Sequence, residues 1–352
     1  MKVAFVHGRP GPHPFHGLLA RSVKADFFFV DRRLRWHDRE EASSLRRYLS
    51  WIVNAVLFPA SRYDMLLSEG LHVMPLLVKF FHPFSKIRIV GLMDNEQPFF
   101  TYSGRYGPIT LWVNRIVFNM YDYHICSSEM IERLVKRYKK DSDRVLRNFN
   151  AVSSERIRDL NGIQPAWGSG NILFIGNGPG EWRAWYKGLD ILLAAFVRIN
   201  KKFTNSRLFI AGEWEPVFRE VAMKGIPQEI RERIVWAGRT ADLRMLMSDA
   251  EVYVHPARGE AYGISVLEAM KAGLPVIVSE WTGASEVVRQ VSPDLICVNT
   301  VESVTAKVAA LLNKDLRTKQ AISSKSRQVV APYNEVSAVE AFEKVMKKIV
   351  NE

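Results

Sequence analysis

Glu260 and Glu268 are separated by seven residues in the segment RGEAYGISVLEAMKAGLPVIVS. The apolar run at 252–254 reads as a strand, 256–260 as the loop after it, and 264–271 as a helix with Val266, Leu267 and Met270 on one face. Gly273 and Pro275 stop that helix, and 276–278 reads as a second strand. Strand, loop, helix, strand is a crossover in a parallel sheet, and such sheets bind ligands beyond the carboxyl ends of their strands. Glu260 then lies on the binding loop, with Glu268 about one turn into the helix. Between them Gly263 permits close approach to the backbone, and the amides of Ala261, Tyr262 and Gly263 lead into the positive end of the helix. That end suits a phosphate, and flanking carboxylates suit hydroxyls, which is the pattern of a sugar nucleotide. The same residues also admit a structural reading, in which Glu260 caps the helix and Glu268 is a solvated helix residue.

Glu260 and Glu268, within this segment, resemble the E-x7-E signature of glycosyltransferase family 4, retaining enzymes of GT-B fold. ILFIGNG with KGLDILLAAF, then LFIAGEWE, then VWAGRTADLRMLMSDAEVYVHP, look like further landmarks of that family in its order, over 171–288. The resemblance implies an α/β protein of two Rossmann-like, doubly wound domains facing a cleft. Its implied reaction moves a sugar from a nucleotide-diphosphate-sugar donor to an acceptor hydroxyl, without a metal or other cofactor. It makes Lys187 the cation for the leaving diphosphate, after the loop at Gly176, with Arg183 in place of the family's arginine where this chain has Asn177. Glu260 would hold donor sugar hydroxyls, Ala261, Tyr262 and Gly263 would present amides, and Glu268 would bind the ribose. Arg239 and Thr240 would lie near the base. In the first domain, Asp94 stands with Asn95 and Glu96 where the family often carries a cleft histidine, which makes Asp94 the acceptor-side candidate. His7, His13 and His16 are candidates by location only. His255 and Pro256 depart from the family's usual Pro-Ser pair.

The elements that must position these residues alternate along a chain of 352 residues, long enough for two cores. We expect an acceptor-side domain at 1–165, a nucleotide-sugar domain at 166–335, and a helix at 336–352 crossing back to the first domain. Strands at 3–6, 27–30, 65–68, 87–92 and 124–126 alternate with helices at 41–57, 72–81, 109–120 and 129–138, which predicts a parallel sheet. The segments at 9–17 and 176–188, rich in Gly and Pro, read as loops. In the second, Gly176, Gly178 and Gly180 alternate, but Glu181 occupies the position a dinucleotide fingerprint needs for its last glycine.

Composition narrows the partners. Cys126 and Cys297 lie in apolar runs, one in each half, so a reducing, cytoplasmic setting is expected rather than a disulfide framework. The Asp141–Asp143 D-x-D lies in KKDSDRV, where it reads as a turn rather than a metal motif. The net charge of +12 comes without zinc-finger spacing or an RNA-binding aromatic signature, so nucleic acid is not an expected partner. Basic stretches rich in Trp, Phe and Leu at 45–63, 76–89 and 111–121 suggest instead an anionic membrane surface, met peripherally on its inner face. The acceptor would then be a sugar, on a lipid-linked or membrane glycan. A soluble acceptor, and a silent sugar-nucleotide-binding partner of another transferase, are the alternatives.

Overall fold

The computed structural model describes residues 1–8, 11–30, 44–178, 180–239 and 242–351. The chain divides into two compact units, 1–150 with 336–352, and 151–335. The second unit starts at Ala151, ahead of the expected boundary at 166, and Arg156 of the intervening helix pairs with Glu268 of that unit at 3.2 Å.

The first unit runs β1 (Val3–His7), α1 (Pro14–Ser22), β2 (Asp26–Phe29), α2 (Ser44–Val56), β3 (Met65–Glu69), α3 (Val73–Phe81), β4 (Arg88–Met93), α4 (Gln97–Tyr102), α5 (Pro108–Met120), β5 (Tyr123–Cys126), α6 (Glu129–Lys136) and β6 (Val145–Arg147). Its six strands pair in parallel in the order β2-β1-β3-β4-β5-β6. Near-continuous apolar strands such as VAFVH suit a sheet covered on both faces. Alternate side chains serve opposite faces: Phe5 and Leu67 pack with Leu19 of α1, whereas Val6 and Leu66 pack with Ala55 of α2 and Met74 of α3. The last helix, α17 (Glu335–Asn351), closes the Phe5 face with Phe342, Met346 and Ile349.

The second unit runs α7 (Ser154–Leu160), β7 (Ile172–Ile175), α8 (Gly180–Lys187), α9 (Leu189–Asn200), β8 (Leu208–Ala211), α10 (Pro216–Met223), α11 (Gln228–Arg231), β9 (Ile234–Gly238), α12 (Leu243–Asp249), β10 (Val252–His255), α13 (Ile264–Ala272), β11 (Val276–Ser279), α14 (Ser285–Val291), β12 (Ile296–Cys297), α15 (Val301–Leu312) and α16 (Leu316–Val330). Its parallel order is β12-β11-β10-β7-β8-β9. Both orders reverse direction once, between β1 and β3 and between β7 and β10. Neighbouring loops diverge at such a point and open a crevice, which is where doubly wound sheets take ligands.

Two segments expected as loops are helical. Pro14 opens α1 at its first turn, where its missing N–H is not needed, so the proline that suggested a loop starts a helix instead. Arg183 accordingly lies on a helix, since 180–187 forms α8. Arg9, Pro10, Thr240 and residues 41–43 of the expected helix at 41–57 lie outside the described residues.

Phe342, on the buried face of α17, is fully buried. Phe342→Ala is expected to cost about 3–5 kcal/mol in the urea unfolding transition of the first unit. A loss under about 1 kcal/mol would contradict the packing assigned to α17.

Candidate functional site

The second unit's switch point is built by lacing the loop after β10 to the junction of α8 and α9. Gly188 separates the two helices with φ 72°, a left-handed conformation that glycine adopts readily. A Cβ there would stand 2.0 Å from the Pro256 carbonyl oxygen, so the two backbones touch. Around this contact the Arg258 amide donates to the Tyr186 carbonyl at 2.9 Å, and the Tyr186 hydroxyl donates to the Gly259 carbonyl at 2.6 Å. The Arg258 guanidinium donates to both Asp190 oxygens at 2.8 Å and lies 4.9 Å from the Trp185 ring centre.

This lacing brings the Lys187 ammonium onto Glu260 Oε2 as an ion pair. The lysine stem passes over Gly176, where a Cβ would stand 3.4 Å from Lys187 Cδ. Beneath the pair lies His255, fully buried and stacked with Phe174 and Tyr253, with Nε2 3.4 Å from the same Glu260 oxygen. Burial pushes the Glu260 carboxyl upward, but Lys187 and His255 outweigh it and hold the carboxyl well below its usual range. Burial lowers the His255 pKa, with Lys187 adding to that effect against Glu260. A neutral His255 facing a carboxylate must carry its proton on Nε2. Its Nδ1 is then an acceptor for the Tyr253 hydroxyl at 3.3 Å, which also meets Ser265 Oγ at 2.8 Å. The histidine that replaces the usual proline thus orients Glu260.

The other expected site residues are distributed around this pair. Gly263 caps α13 at φ 90° with no side-chain cap, while the Gly283 and Ala284 amides donate to the carbonyls of Glu260 and Tyr262 at 2.9 and 2.7 Å. Those bonds fix the course of the loop through Ala261. Arg183 lies one turn before Lys187 on α8, donates to the Asn177 carbonyl at 3.4 Å, and rests 5.4 Å from the Tyr186 ring centre. Glu268 points to α7, where its Oε1 is 3.2 Å from Arg156 Nε; burial raises its pKa while Arg156 acts against that. Arg156 carries no local sequence signal, and only the folded unit brings it to Glu268. Arg239 is exposed beyond β9.

Asp94 belongs to the first unit, where it forms a separate cluster. His16 Nδ1 is 2.8 Å from Glu69 Oε1, and His16 Nε2 is 3.3 Å from Asp94 Oδ2. Of the three histidines singled out by location, His16 is thus the one that joins Asp94. His13 supplies its backbone amide to Glu69 at 3.0 Å, and His7 stacks on Phe29. Among the described residues, no group of three or more His, Cys, Asp or Glu side chains is arranged to hold a metal ion. Asp141 pairs with Arg144 at 2.7 Å in a short turn.

Residues 169–314 match the family model described as glycosyl transferases group 1. An uncharacterized glycosyltransferase of Haemophilus influenzae is 26% identical over 165 residues, 46% of this chain and 46% of the relative. The lipopolysaccharide glucosyltransferase WaaG of Escherichia coli is 33% identical over 134 residues, 37% of this chain and 33% of the relative. The chain therefore spans less than half the length of these curated relatives. The solved structure of Anabaena Alr3699/HepE, in complex with UDP and glucose, superposes with a TM-score of 0.72 at 14% identity, covering 99% of this chain and 100% of that one. At that identity the likeness establishes the fold, which is GT-B, with two six-stranded parallel sheets.

The Lys187–Glu260 pair makes a stability prediction with a defined sign. Because the folded-state carboxyl titrates below its ordinary 4.5, its contribution is fully present above that pH and is lost as pH falls toward the folded-state value. Lys187→Met should cost about 3 kcal/mol near neutrality by leaving a buried carboxylate uncompensated. That gap should shrink as pH drops below 4.5. Urea midpoints measured across this range would contradict the assignment if the gap stayed constant.

Proposed function

We propose that this protein is a retaining, metal-independent glycosyltransferase of family 4 type that takes its sugar from a nucleoside-diphosphate donor. The observation that carries this reading is the Lys187–Glu260 pair at the switch point beside Gly176. Lys187, with Arg183 one turn before it on α8, supplies positive charge for the leaving diphosphate, where negative charge develops during transfer. Glu260 accepts hydrogen bonds from donor sugar hydroxyls, and the loop Ala261–Tyr262–Gly263 presents amides at the start of α13. Glu268, braced by Arg156, receives the ribose. Arg239 and Thr240 flank the base, and Asp94 serves the acceptor side. The match of 169–314 to group 1 glycosyl transferases supports the donor-side assignments.

A thermal-shift screen against UDP-, GDP- and ADP-glucose in chelator tests this reading. A donor at 100 times its dissociation constant should add about 2.7 kcal/mol to wild type and nothing to Lys187→Ala. Glu260→Ala should lower turnover by about 10²–10³, the scale of losing one preorganised polar contact to the reacting group. Failure of every donor to stabilise wild type, or turnover by Glu260→Ala near the wild-type rate, would refute it.

We further propose an anionic membrane surface, on its inner face, as the place where the acceptor is met, presented on a lipid-linked or membrane glycan. The support is α5, where Ile109, Trp112, Val113, Ile116 and Met120 recur at helical spacing and all are exposed, Ile109 at 80% and Trp112 at 65%. The stretch 97–121 around them contains Arg105 and Arg115 and no Asp or Glu. Phe80 and Phe84, at and just beyond the end of α3, are 75% and 99% exposed, within 70–93, another stretch without an acid. Apolar side chains interleaved with basic ones suit the interface of an anionic bilayer. No helix of the described residues is long and apolar enough to cross a membrane. Cys126 and Cys297 are buried free thiols, which supports a reducing compartment. Vesicles containing phosphatidylglycerol should sediment wild type and release the double variant Ile109→Asp, Trp112→Asp. Equal sedimentation of the two, or none of wild type, would overturn this assignment.

A further inference from the structure

The amino ends of β3 and β4 carry a cavity of about 510 Å³, the size of a small-molecule site. It is bounded by Tyr63 and Asp64 before β3, Phe84 and Lys86 before β4, Arg88 at the start of β4, and Val350 of α17. Glu69 and Asp94 stand at the opposite, carboxyl ends of the same strands, where doubly wound sheets take their substrates. Roughly 20 Å of strand separates Arg88 from Asp94. The cavity is therefore distinct from the acceptor-side cluster.

The local sequence builds its walls. Pro83 and Phe84 turn the chain out of α3, and in the extended segment that follows, Lys86 and Arg88 face the cavity while Ile87 between them is buried. Ser85 Oγ donates to the Ala60 carbonyl at 3.3 Å and accepts the Ile87 amide at 3.2 Å. The Arg88 amide donates to the Asp64 carbonyl at 3.0 Å. Tyr63 packs with Phe28 and Phe58, and its hydroxyl donates to Asp26 at 2.8 Å. These contacts fix the shape of the cavity and leave most of its charged groups uncommitted.

The Lys86 ammonium has no partner among the described residues. Arg88 uses Nη1 on the Ile349 carbonyl at the end of α17, and its other guanidinium donors are unpaired among the described residues. Asp64, the acid in the lining, accepts the Lys2 amide through Oδ2 at 2.7 Å and leaves Oδ1 open. Phe84 adds a ring that is 99% exposed. A bare phosphate would leave most of the volume empty and gain nothing from that ring. A phosphodiester on an apolar body uses every part: its oxygens suit the two cations, a hydroxyl suits Asp64, and the apolar body suits Phe84. The surroundings favour a membrane as the source of that apolar body. Lys79, beside exposed Phe80 on α3, donates to Asp122 just past α5 at 2.7 Å, which ties the end of α3 to the helix bearing Ile109 and Trp112.

We propose that this cavity binds the headgroup of an anionic phospholipid, with the phosphodiester on Lys86 and Arg88, a headgroup hydroxyl on Asp64 and the start of an acyl chain against Phe84. That the phosphodiester belongs to a lipid rests on the membrane reading above; the anion site itself rests on the cavity.

Isothermal titration calorimetry of the full chain with dihexanoylphosphatidylglycerol, kept monomeric below its micelle concentration, tests this. One equivalent should bind saturably. Lys86→Ala should weaken binding about tenfold, the scale of one charge-assisted contact, and Lys86→Arg should retain it. Lys86 is exposed, so its replacement should leave the melting temperature unchanged. The double variant Ile109→Asp, Trp112→Asp should bind the short-chain lipid as wild type does. No saturable binding, or equal affinity in Lys86→Ala, would overturn the site. Inorganic phosphate or sn-glycerol 3-phosphate binding as tightly as the lipid would overturn the lipid as its ligand. Absence of vesicle sedimentation with the short-chain lipid still bound refutes the membrane reading alone. Sedimentation intact without short-chain binding refutes the cavity alone.

Discussion

A lysine and a glutamate from different crossovers meet at the point where the second sheet reverses direction, and most of the surrounding architecture maintains that meeting. Lys187 ends one helix and Glu260 follows a strand well separated from it in sequence. Their approach depends on Gly188, whose left-handed backbone lets the α8–α9 junction touch the Pro256 carbonyl, and on Arg258, which locks that junction through Asp190 and Trp185. His255 then supports Glu260 from below as a neutral donor. A buried carboxylate held ionised next to a cation is costly to assemble and adds little to stability compared with an apolar pair. On the function proposed above, its value lies in exchange: an anion would take the lysine while hydroxyls take the carboxylate, and the site would pass from internal to ligand-borne partners without an uncompensated charge.

The first unit repeats the logic with different residues. There the cation is His16, flanked by carboxylates on both sides at the equivalent reversal of strand order. Parallel strands deliver their loops to one edge of a sheet, and the reversal separates two neighbouring loops far enough for side chains to converge between them. Each unit therefore carries a charged cluster at its switch point, and topology accounts for the position of both.

How much of this was legible in the sequence depended on distance along the chain. Glu260, Gly263 and Glu268 lie within one crossover, so local pattern alone placed them on a strand-end loop and the helix after it. The alternating apolar strands gave away both sheets for the same reason. The partners that make the clusters function were hidden because they come from remote elements: Arg156 under Glu268, Asp190 under Arg258, Glu69 and Asp94 around His16. Two segments read as loops are helical because residues that break helices also start them. Pro14 occupies the first turn of α1, and Gly180 opens α8 beyond a glycine-rich loop. His255, uninterpretable as a departure from a family pattern, acquires its role only once Glu260 is seen above it.

A crystal structure of the protein soaked with the UDP-, GDP- or ADP-glucose that stabilises it tests the central claim most directly. The account predicts that Lys187 Nζ leaves Glu260 for a diphosphate oxygen, and that Glu260 accepts hydrogen bonds from the hydroxyls of the donor sugar. A nucleotide bound elsewhere, or bound here with the Lys187–Glu260 pair unbroken, would contradict it.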